Sequence, residues 1–268
     1  MIPKTPIALT IAGSDSGGGA GVQADIKAMA ANGCHGASVI TAITAQNTTT
    51  VTAIHEVPAD LVAAQIEAVL SDIDVRAIKL GMLFSASIID VVAKGIAGFD
   101  GPIVVDPVMV AKSGDTLLQR SAIDAMIDKI LPLATLVTPN LPEAAQLLGE
   151  APARTADDMA AQAMRLLGMG PGAVLMKGGH TEGNTCTDVL VDESGILATL
   201  AADRVATRNT HGTGCTYSAA IAANLSKGLE LDVAVWVAHR YLQGAISAAD
   251  QLQIGKGHGP VHHFYGQW

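Results

Sequence analysis

Short unbroken apolar runs alternate along the chain with longer stretches whose apolar positions recur at helical spacing. The runs predict strands over residues 6–12, 37–45, 77–80, 103–105, 136–138 and 173–176. Their continuous hydrophobicity is that of strands covered on both faces. The periodic stretches predict helices over 22–31, 61–70, 88–96, 123–131, 144–148, 159–167, 216–227 and 232–249. Segments 187–191 and 196–200 flank Asp192-Glu193-Ser194-Gly195 and read as a hairpin. Residues 255–268, rich in Gly and His, read as irregular. Strands alternating with helices predict a three-layer α/β/α architecture around a mostly parallel central sheet, in one domain over residues 1–268.

The polar positions are also ordered. Nearly every expected strand stops at a polar or glycine-rich cluster: Ser14 and Asp15, Gln46, Gly81 with Met82, Asp106, Asn140, and Lys177. In open parallel sheets the carboxyl ends of the strands form the ligand crevice, so these clusters are expected to gather along one edge. The run Asn209-Thr210-His211-Gly212-Thr213-Gly214-Cys215-Thr216 precedes an alanine-rich helical stretch. Its glycines let backbone N–H groups converge at a helix N-terminus, where unpaired donors and the macrodipole favour an anion. The plainer alternative is a tight turn before a core helix. Cys215 stands in the first turn, where the same field is expected to lower its pKa.

Composition narrows the chemistry. The chain is 49% hydrophobic yet has few aromatic residues, so its core is built from Ala, Val, Ile, Leu and Met. A net charge of −9 argues against a general nucleic-acid binder. It leaves room for one small phosphorylated ligand at a local site. Cys34, Cys186 and Cys215 are widely spaced and form no Cys-x-x-Cys pair. They read as reduced thiols, without a disulfide frame or structural zinc. The N-terminus lacks the layout of a secretory leader, and no apolar run approaches the ~18 residues of a membrane span. A soluble, cytoplasmic protein is expected.

Asp106 leaves the end of a buried strand, where a carboxylate suits Mg²⁺ directly or through water. Asn140 and Glu143 have the spacing of a helix capping box; beside Asp106, Glu143 is also a candidate second acid for the metal. Lys177, between a buried strand and Gly178-Gly179, either snorkels to solvent or holds a phosphate as a point charge. Neither Gly-x-Gly-x-x-Gly nor Gly-x-x-x-x-Gly-Lys-Ser/Thr occurs. An anion cradle, a lysine, two acids and no covalent triad make the part list of phosphoryl transfer.

Seven motifs then fall into one order. They are Ala12-Gly13-Ser14-Asp15-Ser16-Gly17-Gly18-Gly19-Ala20-Gly21, Thr44-Ala45-Gln46-Asn47-Thr48, Lys79-Leu80-Gly81-Met82-Leu83, Asp106-Pro107-Val108-Met109, Thr138-Pro139-Asn140-Leu141-Pro142-Glu143-Ala144, Lys177-Gly178-Gly179-His180 and His211-Gly212-Thr213-Gly214-Cys215. Together they resemble the hydroxymethylpyrimidine/phosphomethylpyrimidine kinases of thiamine biosynthesis, in the ribokinase-like superfamily. The resemblance runs from about Ile7 to about Pro260.

It implies a ribokinase-like fold, with ATP and Mg²⁺ as cofactors. The implied reaction is phosphorylation of 4-amino-5-hydroxymethyl-2-methylpyrimidine and then of its monophosphate. Gln46 would read the aminopyrimidine edge, which its adjacent donor and acceptor suit. Asp25 would lie near the pyrimidine and its hydroxymethyl group, or place a charge near a helix N-terminus. Gly13, Met82 and Val108 would wall the ring. Gly212, Thr213, Gly214 and Cys215 would form the anion hole. Lys177, Asn140, Asp188, Thr213 and Gly214 would hold ATP, and Asp106 and Glu143 would organise Mg²⁺. Cys215 replaces the Asp usual in sugar and pyridoxal kinases and would serve as a partly ionised general base. A homodimer is implied, with no nucleic-acid or membrane partner. A pyridoxal or dual-specificity kinase is the alternative, since pyridoxal also carries a hydroxymethyl group on a flat ring; a non-catalytic pyrimidine sensor is another. His180 and His211 flank the cradle as positioning residues or bystanders. The hairpin either covers the nucleotide or extends the sheet.

Overall fold

Apolar strands and amphipathic helices assemble into one nine-stranded sheet in the order β3-β2-β1-β4-β5-β6-β7-β8-β9. The computed structural model describes residues 4–109, 120–179 and 183–268. The strands are β1 (Ile7–Asp15), β2 (His35–Gln46), β3 (Val51–Glu56), β4 (Ala77–Leu80), β5 (Ile103–Val105), β6 (Leu136–Val137), β7 (Ala173–Met176), β8 (Thr185–Asp192) and β9 (Gly195–Asp203). The helices are α1 (Gly21–Ala31), α2 (Ala59–Leu70), α3 (Ala86–Ile96), α4 (Arg120–Ala125), α5 (Leu141–Leu148), α6 (Ala156–Leu167), α7 (Thr213–Leu225) and α8 (Leu231–Ser247). The six strands from β2 to β7 in the sheet order pair in parallel. β3, β8 and β9 join antiparallel at the two edges.

Side chains alternate across a strand, and here the alternation separates two cores. Leu9, Ile78, Val105, Val137 and Val174 face the layer that contains α2, α3, α5 and α6. Ala8, Ala77, Val104, Leu136 and Ala173 face α1, α7 and α8. Small strand residues on that second face meet the alanines of α7, so helix and sheet approach closely. Every residue from Thr216 to Leu225 is buried, as befits a helix covered on all sides. This packing fixes where the N-terminus of α7 points.

The chain crosses from β1 to β2 through α1 on one face, then enters β4 on the other side of β1 and continues through α3 on the opposite face. The direction reverses between β1 and β4, which is the switch point at which such sheets bind ligands. Within the β1–β2 ladder the register shifts between Ala12 and Ser14. An irregularity of this kind bends the strand and re-aims its end beside a site.

Three expectations change, and one of two alternatives is met. β3 is a strand that the hydrophobic pattern does not announce, because none of its residues is buried. β1 and β2 run on through Asp15 and Gln46, so these residues belong to strand ends, not to loops. The hairpin extends the sheet through β8 and β9. Asp25 lies beyond the first turn of α1, which holds no acidic residue, so it is not a helix-terminal charge. The tail lacks regular structure as expected, yet Val261, His262 and His263 are buried. Among the described residues no helix is long and apolar enough to cross a membrane.

Candidate active site

The strand ends converge. Ser14, Asp15, Gln46, Met82, Asp106, Asn140 and Lys177 all line one cavity of about 910 Å³, large enough for a small molecule together with part of a nucleotide.

Gln46 lines this cavity; its Oε1 accepts from Thr44 Oγ1 at 3.1 Å and its Nε2 lies 3.4 Å from His211 Nε2. A β-carbon on Gly13 would fall 2.4 Å from Met82 Cε. The thioether therefore lies directly on the Gly13 backbone, and Val108 lines the same cavity.

The residue that organises this end is Asp15, which sequence reasoning noted only as a strand-end polar group. Its carboxylate accepts from the N–H groups of Gly17, Gly19 and Ala20 at 2.8, 3.1 and 2.9 Å. His211 Nε2 lies 2.9 Å from its second oxygen. Burial opposes its charge, but the bonds from His211, Gly17 and Ala20 outweigh burial and hold the carboxyl below its ordinary pKa. The first glycine loop thus gives these N–H groups to its own aspartate. Asp15 and His211 also tie that loop to the second one. Gly212 caps α7 in the left-handed region at φ 77°. A β-carbon there would lie 1.9 Å from the Gly19 carbonyl oxygen, so glycine is required twice over.

Past Gly212, the N–H groups of Gly214 and Cys215 have no hydrogen-bond acceptor among the described residues. They open into the cavity at the start of α7, the arrangement that favours an anion. Opposite them Lys177 Nζ pairs with Asp106 Oδ1 at 2.7 Å. The place of a β-carbon on Gly214 is 3.3 Å from both Lys177 Nζ and Asp106 Oδ2. Burial works against the charge on Lys177, yet Asp106 and Glu143 raise its pKa, so it stays cationic.

Glu143 and Asn140 do form a capping box. Glu143 Oε2 accepts from the Asn140 N–H at 2.8 Å, and Asn140 Oδ1 from the Glu143 N–H at 2.9 Å. The box does not exhaust the glutamate, which also lines the cavity. Burial pushes its pKa up to about 7, with Lys177 opposing and Asp106 reinforcing. Among the described residues no group of three or more His, Cys, Asp or Glu side chains could hold a metal. Two hard carboxylates at the cavity wall fit Mg²⁺, an ion that keeps several waters and substrate phosphates as ligands. Asp188 accepts from the Gly178 N–H at 2.8 Å and lies beside the buried Tyr217 hydroxyl, both in the cavity wall.

Two sequence expectations fail. The Cys215 thiol is not acidified. Burial pushes its pKa up to about 11; Lys79 opposes this, while Asp25 and Asp106 add to it. Desolvation and two nearby carboxylates outweigh the field of the helix terminus at the sulfur. Asp25 does not line the cavity: it is wholly buried beneath it, accepting from Thr10 Oγ1 at 2.6 Å and paired with Lys79 at 2.8 Å. Lys79 itself reaches the cavity wall. In the sequence Lys79 stands out only as the first residue of the Lys79-Leu80-Gly81-Met82-Leu83 motif. A cation inside the buried run Ala77-Ile78-Lys79-Leu80 demands a buried anion, and that signal could have linked it to Asp25. His180 lies outside the described residues.

A three-layer sheet with a donor-lined helix terminus facing a lysine–carboxylate pair defines a ribokinase-like kinase of small molecules. A family model described as phosphomethylpyrimidine kinase matches residues 15–262. The hydroxymethylpyrimidine/phosphomethylpyrimidine kinase of Rhizobium meliloti is 56% identical over 264 residues, covering 98% of this chain and 99% of that one. The crystal structure of phosphomethylpyrimidine kinase from Clostridium difficile superimposes with a TM-score of 0.79 at 42% identity, over 91% of this chain and 100% of the other. Pyridoxal kinase from Staphylococcus aureus, in complex with AMP-PCP and pyridoxal, gives a TM-score of 0.89 at 33% identity, over 98% and 95% of the two chains. The chain belongs to the phosphomethylpyrimidine kinase family.

Proposed function

We infer that the chain transfers phosphate from ATP to the hydroxymethyl group of 4-amino-5-hydroxymethyl-2-methylpyrimidine, and then to the monophosphate so formed. The observation that carries this reading is the N–H pair of Gly214 and Cys215, without an acceptor among the described residues, beside Lys177 and Asp106 in the same cavity that Gln46 lines. The relatives' name, which joins both kinase activities, supports two transfers at one site.

Gln46 sets the ring by pairing its amide with the exocyclic amine and a ring nitrogen, while Gly13, Met82 and Val108 flank the ring. Asp25 acts beneath the floor, by holding Lys79. Asn140 and Asp188 serve the nucleotide end. In the transfer, the substrate oxygen bonds to the γ-phosphorus as the bond to ADP breaks, and in the first transfer the hydroxyl proton passes to the transferred phosphate or to solvent. The Gly214 and Cys215 N–H groups and the start of α7, with Thr213, stabilise the charge on the moving phosphoryl group, and Lys177 neutralises the phosphates. When bound, Mg²⁺ supplies further charge neutralisation, with Asp106 and Glu143 as its protein carboxylates. A loose phosphoryl transition state needs little base, which suits a Cys215 thiol that is neutral at pH 7. The reading also includes a cytoplasmic homodimer, the latter checked by light scattering.

The test is ADP release with Mg²⁺ on three substrates: the pyrimidine alcohol, its monophosphate and pyridoxal. Turnover is expected on the first two. Turnover on pyridoxal with none on the pyrimidines overturns the assignment.

A further inference from the structure

Gly255, Gly257 and Gly259 alternate along the irregular tail, and each sits where no β-carbon fits. A β-carbon on Gly255 would lie 2.2 Å from Thr48 Oγ1, one on Gly257 2.0 Å from the Thr48 carbonyl oxygen, and one on Gly259 2.4 Å from Asn209 Oδ1. Hydrogen bonds follow the same contacts. The Gly257 N–H donates to Thr48 Oγ1 at 3.1 Å and the His258 N–H to the Thr48 carbonyl at 2.9 Å. The Gly259 N–H donates to Asn209 Oδ1 at 3.0 Å, and the Gly259 carbonyl accepts from the His211 N–H at 3.0 Å.

The two anchors have different addresses. Thr48 belongs to the turn after Gln46, which Asn47 Oδ1 closes by accepting from the Thr49 and Thr50 N–H groups at 2.8 and 3.1 Å. Asn209 precedes His211 and the cradle, and its Nδ2 is held by Asp250 at 2.8 Å. Core packing of the tail is carried by Val261, His262 and His263, which come after the strap. The strap, exposed or half-buried over 255–258 and buried only at Gly259, therefore bridges two loops over the site.

We propose that residues 255–259, anchored by Thr48 and Asn209, are a positioning device that fixes the pyrimidine-reading turn relative to the phosphate cradle. Three close backbone approaches make the strap short and inextensible, so freeing either anchor loosens the same element. The proposal rests on the reading of Gln46 and the cradle given above.

The test is a double-mutant cycle on Thr48→Val and Asn209→Ala, with Thr48→Ser as the conservative control. Each single variant is expected to raise the KM for the pyrimidine alcohol about tenfold, with the KM for ATP within about twofold. The double variant is expected to lose no more than about twofold beyond the worse single, because Thr48→Val removes the Gly257 bond and Asn209→Ala the Gly259 bond of one strap, while the backbone bonds to the Thr48 carbonyl and from His211 remain in both. Thr48→Ser, which keeps the acceptor, should stay within about twofold of the parent. Losses that multiply in the double variant, or an unchanged pyrimidine KM, overturn the proposal. Amide exchange supplies a readout independent of turnover and of Thr48→Val folding. In Asn209→Ala the protection of the 47–50 turn should fall although the substitution is remote in sequence, and unchanged protection refutes the coupling. A parent enzyme inactive on the pyrimidine would count against the functional reading, while the exchange result would still judge the strap.

Discussion

Gly214→Ala separates the stability of α7 from its chemistry. Gly214 is the second residue of α7 and, unlike Gly212, has no left-handed backbone. Alanine in a helix gains up to about 1 kcal/mol over glycine. Against this, the new methyl would sit 3.3 Å from Lys177 Nζ and from Asp106 Oδ2. That is closer than an ordinary carbon contact, so the ion pair must yield by a few tenths of an ångström, on the order of 1 kcal/mol for a packing adjustment. The two effects nearly cancel, and Tm should move by less than about 4 °C for a chain of this size. Activity should not survive so well, because the methyl enters the space between the free N–H groups and the lysine. Misplacing one such donor typically costs about 10²–10³ in kcat, and a loss of that order is expected on both the alcohol and the monophosphate. Thermal melting and coupled ADP release measure the two quantities on the same preparation. An alanine variant that melts normally and turns over within threefold of the parent would show that the cradle is elsewhere.

Three further outcomes follow from the same geometry. Cys215→Ser should lower turnover on the alcohol and on the monophosphate by similar factors, since a thiol with a pKa pushed up to about 11 is no base at pH 7; a loss confined to the alcohol would restore the general-base role. Lys79→Met leaves the fully buried Asp25 unpaired and should cost about 3–5 kcal/mol in urea unfolding, with Asp25→Asn as second substitution recovering part of it; a change below about 1 kcal/mol contradicts the pairing. His263 bonds Thr216 Oγ1 at 3.0 Å, and burial lowers its pKa from 6.5 to about 4. The unfolded chain therefore binds the extra proton between those values. The stability is present above about pH 6.5 and lost as pH falls towards about 4, by up to about 3 kcal/mol. His263→Gln should flatten that part of the stability–pH curve, and an unaltered slope would clear His263.

Most of the parallel sheet was legible because its strands are apolar on both faces, and the clusters at their ends were legible because polar residues there have no place in a core. β3 was not, since it is held by pairing to β2 and has no fully buried residue. Asp15 hid inside a run of glycines. Its role depends on three N–H groups folding back on it, which residue type alone does not announce. Cys215 was placed correctly but given the wrong acidity. Sequence supplied the helix terminus, while the burial that decides the thiol's pKa comes from the packing of α7 against α1 and the sheet. The pairing of Asp25 with Lys79 was not legible for a related reason. They are joined by a 2.8 Å contact across 54 residues, and a pair of that separation is visible only once α1 packs on β1, the neighbour of β4 in the sheet.

The central claim is that one crevice performs two successive transfers. A ³¹P NMR time course, with the pyrimidine alcohol, excess ATP and Mg²⁺, follows both in one tube. The account predicts a monophosphate resonance that rises and then gives way to a diphosphate as ADP accumulates, with both phases lost together in Gly214→Ala. A reaction that halts at the monophosphate, or a variant that abolishes one phase and spares the other, contradicts it.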